Sequence, residues 1–330
     1  MSYNRENYIR IRAEFDKKHL ARVNDALERR ASLQAELPGL REIDEALAET
    51  GARVYSVTLA CRGDKDRLQR EIAELRKDNE ALLEARAALL RENGYPENET
   101  DPHFDCPKCE DRGIIGTKMC SCMKDALIKA GYESSGIGKL IEKQSFETFD
   151  VTYYPEAERE HIGLIVQLCR DYAECFASSS SSSSGTGNLL FRGNTGLGKT
   201  HLSTSIAKRV TERGFDVLYD TAQNIFSDFE TDRFRPGSSL HSGSIDRYFS
   251  CELLIIDDLG TEMTNSFTVA CLYNIINTRI NNGRPIIINT NLSWNDLRAR
   301  YADRITSRLF GEFTPLEFAG NDIRGEKLKG

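Results

Sequence analysis

No part of this sequence stays apolar for long. Its longest apolar runs, such as LLII at 253–256, fall far short of the roughly 20 residues that a membrane-spanning helix needs. The opening stretch MSYNRENYIRIRAEF is polar throughout and holds no apolar centre for a secretory leader. From these two absences we expect a cytoplasmic protein with no membrane partner. Positive charge is not in excess either: 44 Lys and Arg face 51 Asp and Glu, a net charge of -7. That excludes a chain that traps nucleic acid through its overall field, so any such contact must use a local patch. Hydrophobic residues make up only 39% of the 330 positions, which suggests two or three domains with an extended charged portion.

Proline is scarce at the start, with only Pro38 before Pro96, and residues 1–100 carry 18 Lys and Arg against 20 Asp and Glu. Leu68, Leu75, Leu82 and Leu89 recur every seven residues, with Ile72 and Asn79 on the alternate seam positions. Upstream, Ile43, Leu47, Thr50, Val54, Val57 and Cys61 follow in four-three steps. Such heptads with charged flanks mark a coiled coil or a helical hairpin, broken into about three helices at Pro38-Gly39 and Gly63. We expect residues 1–95 to be a helical, coiled-coil arm that binds a partner or a second copy. A plain solvated spacer is the alternative.

Cys106, Cys109, Cys120 and Cys122 then fall within seventeen positions, spaced C-x2-C-x10-C-x-C. Cytoplasmic thiols stay reduced, which favours a metal over disulfides. A C-x2-C turn supplies two soft ligands from one knuckle, and Gly113 and Gly116 let the loop between the pairs fold back. The second pair is tighter than usual, so His103 could replace one of its cysteines. The expectation is a closed, structural Zn²⁺ site within a small module at 96–135, followed by a short helix, 123–131, ended by Gly131.

Residues 136–330 read as alternating strands and helices, the pattern of a parallel sheet covered on both faces. Ile162, Ile165, Cys169, Tyr172 and Phe176 share one helical face, with Cys169 and Cys175 as core thiols. Seven serines at 178–184 separate that helix from a strand, NLLFR, which runs into Gly193-Asn194-Thr195-Gly196-Leu197-Gly198-Lys199-Thr200. This fits G-x4-G-K-[ST] between a strand and a helix, the context that gives the motif its meaning. Backbone N–H groups of the glycine turn would cradle the phosphates of ATP, Lys199 would reach the β- and γ-phosphates, and the Thr200 hydroxyl would ligate Mg²⁺. The buried strand CELLIIDDLG ends in Asp257, placed to hold Mg²⁺ through water, and Asp258, placed to activate the attacking water. After RPIIINTN, Asn291 would stand beside the γ-phosphate, with Asn289 as its competitor. Of Arg298, Arg300, Arg304 and Arg308 in the tail, one is the natural guanidinium to complete phosphoryl transfer from a neighbouring subunit.

QSFETFD (144–150), NLLFRGNTGLGKTHLSTSIA, LLIIDDLGTE, YNIINTRINNGRPIIINTNLS and RITSRL together resemble the AAA+ ATPases of the bacterial helicase-loader group of DnaC and DnaI type, and the related IstB ATPases. The resemblance covers about 145–325 and implies an AAA+ P-loop core. It makes Lys199 and Thr200 Walker A, Asp257 and Asp258 Walker B, Asn291 sensor 1, Arg308 ahead of Arg304 the arginine finger, and Arg324 sensor 2. It further implies ATP hydrolysis in a homo-oligomer formed on ATP binding, a replicative helicase docked by the cysteine module and arm, and single-stranded DNA as ligand. Arg233-Phe234-Arg235 is one candidate stretch for DNA contact, although a solvated loop is the better reading of it. The rival expectations are an IstB-like regulator of transposition and a coiled-coil scaffold that binds nucleotide without turning it over.

Overall fold

The computed structural model describes residues 3–61, 64–177, 187–234, 242–320 and 322–323. The chain forms two compact units, Arg12–Met123 and Met1–Ile11 with Lys124–Gly330. This division runs differently from boundaries drawn at 95 and 135, and the side-chain contacts below give the reason.

The smaller unit rests on three long helices, α1 (Arg5–Glu36), α2 (Pro38–Ala60) and α3 (Lys65–Glu92). Pro38 opens α2 at a position where its missing N–H costs nothing, and the Asp64 side chain caps α3 by accepting the Arg67 N–H. Gly63 lies outside the described residues. α2 packs along α3 as a hairpin; Leu75 is buried, Leu68, Leu82 and Leu89 are half-buried, and Val54 is exposed. Leu33, Leu40 and Leu90 form a small apolar core. Beside this stands a polar knot that heptad spacing does not reveal. Asp44, only 4% exposed, accepts hydrogen bonds from Arg30 Nε at 2.8 Å, Gln34 Nε2 at 2.7 Å and Arg86 Nε at 3.0 Å. Burial alone would raise its carboxyl, and the three donors together hold it below the ordinary value.

A two-stranded antiparallel ribbon, β1 (Ile114–Ile115) and β2 (Lys118–Met119), carries the cysteine loop. α1 grips the same segment: Lys18 and Arg22 pair with Asp105 at 2.8 and 2.9 Å, and His19 stacks on Phe104 with centroids 5.3 Å apart. Those contacts join the arm and the cysteine loop into one unit.

The larger unit begins with α4 (Ser121–Ser134), a 3-10 turn (Val151–Tyr153) and α5 (Glu156–Cys175). α4 does not end at Gly131. That glycine lies at a helix crossing, where an added Cβ would come within 2.9 Å of Thr211 Cγ2, so its smallness serves packing and not termination. Asn4, just before α1, and the first turns of α1 also belong here, through Asn4 Nδ2 to Asp216 at 3.2 Å and Asn7 Nδ2 to Ser134 Oγ at 2.8 Å. Next come β3 (Asn188–Gly193), α6 (Lys199–Glu212), β4 (Val217–Thr221), α7 (Ala222–Phe234), α8 (Ser242–Ser250), β5 (Leu253–Leu259), α9 (Ser266–Asn281), β6 (Ile286–Thr290), α10 (Trp294–Glu312) and β7 (Phe313–Phe318).

The five strands from β3 onward form one parallel sheet in the order β4-β5-β6-β3-β7. Strand alternation splits the core in two. Leu189, Phe191, Val217, Leu253, Ile255 and Ile287 face α5 and α6. Leu190, Leu218, Leu254, Ile256, Ile286 and Ile288 face α7, α8, α9 and α10. The α5 stripe Ile162, Ile165, Cys169, Tyr172 and Phe176 is buried, but Cys175 is exposed because it falls off that stripe. β7 was not expected from sequence; its Pro315 sits on the outermost strand, where a missing N–H is tolerated. Among the described residues no helix is long and apolar enough to cross a membrane. The serine run 178–184 and Arg324 lie outside the described residues.

Candidate functional site

The site follows from where β3, β5 and β6 end. β3 runs into the loop 193–198, and α6 starts at Lys199, so the loop's backbone N–H groups lie at a helix N-terminus. Thr195 to His201 line a cleft of roughly 360 Å³ together with Gln144, Phe149, Asp150, Asp258, Thr261, Asn291 and Ile323. Gly198 sits at φ +81, and a Cβ there would meet Phe149 Cε2 and Tyr154 Oη at 2.8 Å each; only glycine fits. The Tyr154 hydroxyl donates to Leu197 O at 2.7 Å and pins the loop from beneath. Lys199 is 6% exposed, and its ammonium donates to Gly193 O at 2.8 Å and Asn194 O at 2.6 Å.

Up to the register shift, odd-numbered positions of β5 face α6, and Asp257 is the last of these. It is 5% exposed and surrounded by donors. Thr200 Oγ1 lies 3.2 Å from Oδ2, Asn289 Nδ2 donates to Oδ1 at 2.8 Å, and the Tyr219 hydroxyl donates to Oδ2. The Tyr219 phenol is held above its ordinary value, first by burial and then by the Asp257 charge. A hydroxyl beside a fixed carboxylate is a set of hard oxygen donors, the kind that Mg²⁺ takes.

Strict alternation would send Asp258 to the opposite face. The β5–β6 register shifts between Ile256 and Leu259, and Asp258 adopts φ +52. A bulge of this kind re-aims a side chain, and Asp258 is exposed and lines the cleft. Asn291 lines it too, whereas Asn289 is fully buried and bridges Asp257 to Ser203 Oγ at 2.8 Å.

The tail arginines stand elsewhere. Arg308 donates to Asn277 Oδ1 at 3.0 Å and faces Glu312 at 3.7 Å, while Arg304 is exposed; the cleft lining includes neither. Trp294 and Phe310 stack with centroids 4.1 Å apart, whereas a straight helix would separate them by about 24 Å. α10 therefore doubles back on itself, with Arg304 and Arg308 on the returning arm. Arg233 is exposed with its guanidinium 5.3 Å from the Phe267 ring centre; Arg235 is outside the described residues.

In the smaller unit the sulfurs of Cys106, Cys109, Cys120 and Cys122 all lie within 4.8 Å of one another, and His103 is not among them. Cys106 to Cys120 is 3.8 Å and Cys109 to Cys122 is 3.5 Å. A tetrahedron with zinc–sulfur arms of about 2.3 Å has edges of about 3.8 Å, so the four thiols fit that ion. Asp111 shapes the knuckle by accepting the Asp105 and Cys106 N–H groups at 2.9 and 2.8 Å. The Cys122 backbone N–H, with the neighbouring thiols, draws the Cys120 thiol down to about 7.

Residues 137–312 match the family described as IstB-like ATP binding protein, more than half of the chain. The chain belongs to this family. Its curated relatives include a replicative helicase loader DnaC of Buchnera aphidicola subsp. Baizongia pistaciae, 23% identical over 175 residues, covering 53% of this chain and 66% of that protein. A chromosomal replication initiator protein DnaA of Campylobacter jejuni subsp. jejuni is 30% identical over 134 residues, covering 38% and 29%. The match thus spans just under two thirds of that loader and under a third of that initiator. Among solved structures, a DnaC helicase loader aligns at 19% identity and TM-score 0.47 over 55% of this chain and 99% of its own. DnaI aligns at 17% and 0.44 over 54% and 92%. As an IstB-like protein the chain carries an ATP-binding domain, and the cleft just described lies within it.

Sequence reasoning did not find Tyr219, Ser203 or the supporting role of Asn289. Nor did it find Gln144, Phe149 and Tyr154 as cleft and loop contacts, although the QSFETFD segment had marked the stretch that holds two of them. The sequence offers Asn289 only as a rival to Asn291; its place on the α6 side of β6 is set by strand register.

Proposed function

We propose that this IstB-like protein is a Mg²⁺-dependent ATPase that acts in DNA replication, loading a replicative helicase onto single-stranded DNA in the cytoplasm. One observation carries the reading: a Walker-type cleft with its acids at the strand ends occurs in one chain with a four-thiol module gripped by a helical arm. In this reading residues 136–330 are the ATPase domain, and residues 96–135 with the arm at 1–95 grip the helicase.

Lys199 would exchange the carbonyls of Gly193 and Asn194 for phosphate oxygens. Thr200 and, through water, Asp257 would hold Mg²⁺, which supplies neutralising charge at the β- and γ-phosphates. Asp258 would take the proton of the attacking water, and Asn291 would contact the γ-phosphate. Arg308 would act on the neighbouring subunit's ATP, since it stands apart from its own cleft; Arg304 is the alternative. Cys106, Cys109, Cys120 and Cys122 would hold a structural Zn²⁺.

The test is ATP hydrolysis by wild type and Asp258→Asn, with pull-down of a hexameric helicase and a transposase and titration of a labelled single-stranded oligonucleotide. The reading expects turnover that Asp258→Asn lowers at least about a hundredfold, capture of the helicase, and ATP-dependent DNA binding. Equal, negligible rates for both proteins would point to a scaffold, and capture of the transposase alone to a regulator of transposition.

A further inference from the structure

Gln144 lines the cleft, and its carboxamide oxygen is closed off from solvent without a hydrogen-bond partner among the described residues. Buried amide oxygens are nearly always paired, so an orphan in a ligand cleft marks a partner that arrives with the ligand. The sheet order says which part of the ligand that is. β5 and β6 lie on one side of β3, and β7 lies on the other. Asp258 and Asn291, at the ends of β5 and β6, close the cleft at the triphosphate side. Ile323, just beyond β7, walls the far side: its N–H donates to Gly196 O at 3.2 Å, and its side chain is buried. Phe149 joins it there, 5.1 Å edge-on to His201 and 6.0 Å from Tyr154. His201 also anchors Ser145, the neighbour of Gln144, through the Ser145 carbonyl at 2.8 Å. With its phosphates in the glycine turn, a nucleotide must lay its base towards Phe149 and Ile323.

The geometry points to Gln144 as the residue that selects adenine, an inference that rests on the ATP-site reading above. A carboxamide presents an acceptor and a donor side by side. On its N7 edge adenine offers the matching pair, the amino group at position 6 beside the N7 acceptor, so both halves of the amide are satisfied. Hypoxanthine and guanine carry a carbonyl at position 6. On that edge the carbonyl stands beside N7, two acceptors side by side, so the amide can turn its nitrogen towards them but its oxygen stays unpaired. Phe149 and Ile323 provide apolar contact to any purine and do not discriminate.

The experiment compares Mg²⁺-ATP with Mg²⁺-inosine triphosphate, which on the N7 edge differs only at position 6, by calorimetry on the full chain. Wild type is expected to bind ATP at least about tenfold more tightly. Gln144→Leu, checked for folding by circular dichroism, should weaken ATP to the level of inosine triphosphate while leaving the latter within about twofold. Equal affinities in wild type, or an equal loss of both ligands in Gln144→Leu, would overturn the inference and leave the nucleotide site standing. If neither nucleotide binds to folded wild type, the site reading fails and takes the inference with it. Should the leucine variant misfold, the wild-type ratio alone decides.

Discussion

Replacing Asn289 with leucine separates the support of Asp257 from the stability of the fold. Asn289 is wholly buried, and its Nδ2 donates to Asp257 Oδ1 and to Ser203 Oγ, both at 2.8 Å. Its own Oδ1 has no partner among the described residues. Leucine has nearly the same size. It removes a hydrogen bond to a charged group, worth about 1.5–3 kcal/mol, and one to a hydroxyl, worth about 0.5–1.5 kcal/mol, and it also removes an orphan acceptor that costs about 1–3 kcal/mol. The net loss is on the order of 1 kcal/mol, so Tm should fall by no more than a few degrees. The carboxylate, however, loses the Asn289 donor on Oδ1 and keeps, among the described residues, the Asp258 N–H at 3.0 Å and Thr200 at 3.4 Å on that oxygen. If that orientation supports the metal, the advantage of Mg²⁺-ATP over ATP in EDTA should shrink by about tenfold to a hundredfold, the equivalent of one such bond. Calorimetry with and without Mg²⁺ gives the ratio, and differential scanning gives Tm. An unchanged ratio in a folded variant would refute the positioning role, and a large fall in Tm with an unchanged ratio would make Asn289 a purely structural residue.

The remaining expectations concern both units. Purified protein should carry one zinc per chain that Cys109→Ser abolishes, with nucleotide affinity within about twofold of wild type, because nucleotide and thiols lie in different units; metal analysis with calorimetry checks this. Zinc should also be lost on acidification, since protons compete for the thiolates, and retained as pH rises. Asp44→Asn should destabilise the helical arm by about 2–4 kcal/mol, since it leaves half-buried Arg86 without its carboxylate. The folded Asp44 carboxyl lies below its ordinary value, so its contribution is present above about pH 4 and fades as pH falls through the lower folded value. Urea unfolding of the two proteins should therefore converge at acid pH. Asp258→Gly should unfold at higher urea than Asp258→Ala, by about 1 kcal/mol, because φ +52 is strained for alanine and open to glycine; both should lack turnover.

What could be read from the sequence was whatever a local period or a spacing carries. The glycine turn, the apolar strands at 188–192 and 253–256 and the C-x2-C pair announce themselves, because neighbours along the chain impose their chemistry. β7 did not, since FTPLEF is short, contains Pro315 and becomes a strand only by pairing in register with β3 along Asn188–Gly193. The two asparagines of NTN posed the harder case. Both are polar residues at a strand end, and only the pairing of Phe191 with Asn289 and of Ile256 with Ile288 decides that Asn289 turns under α6 while Asn291 reaches the cleft.

The acid pair shows the same limit from the other side. Adjacent residues on a regular strand point to opposite faces, so a flat reading of LLIIDDL would give one acid to the nucleotide and bury the other against α9. Asp258 lines the cleft that Asp257 reaches through Thr200 only because the ladder slips after Ile256 and Asp258 takes a left-handed backbone. That conformation is costly for a residue with a Cβ and persists where the surroundings enforce it. Here they do: the Asp258 N–H is held by Asp257 Oδ1, and its carbonyl accepts from the Thr261 N–H at 3.2 Å and hydroxyl at 2.9 Å. Asp257, the proposed metal holder, thus fixes the backbone of Asp258, the proposed base. Moving Asp257 would displace Asp258 as well, so metal affinity and hydrolysis should fall together in variants that loosen either one.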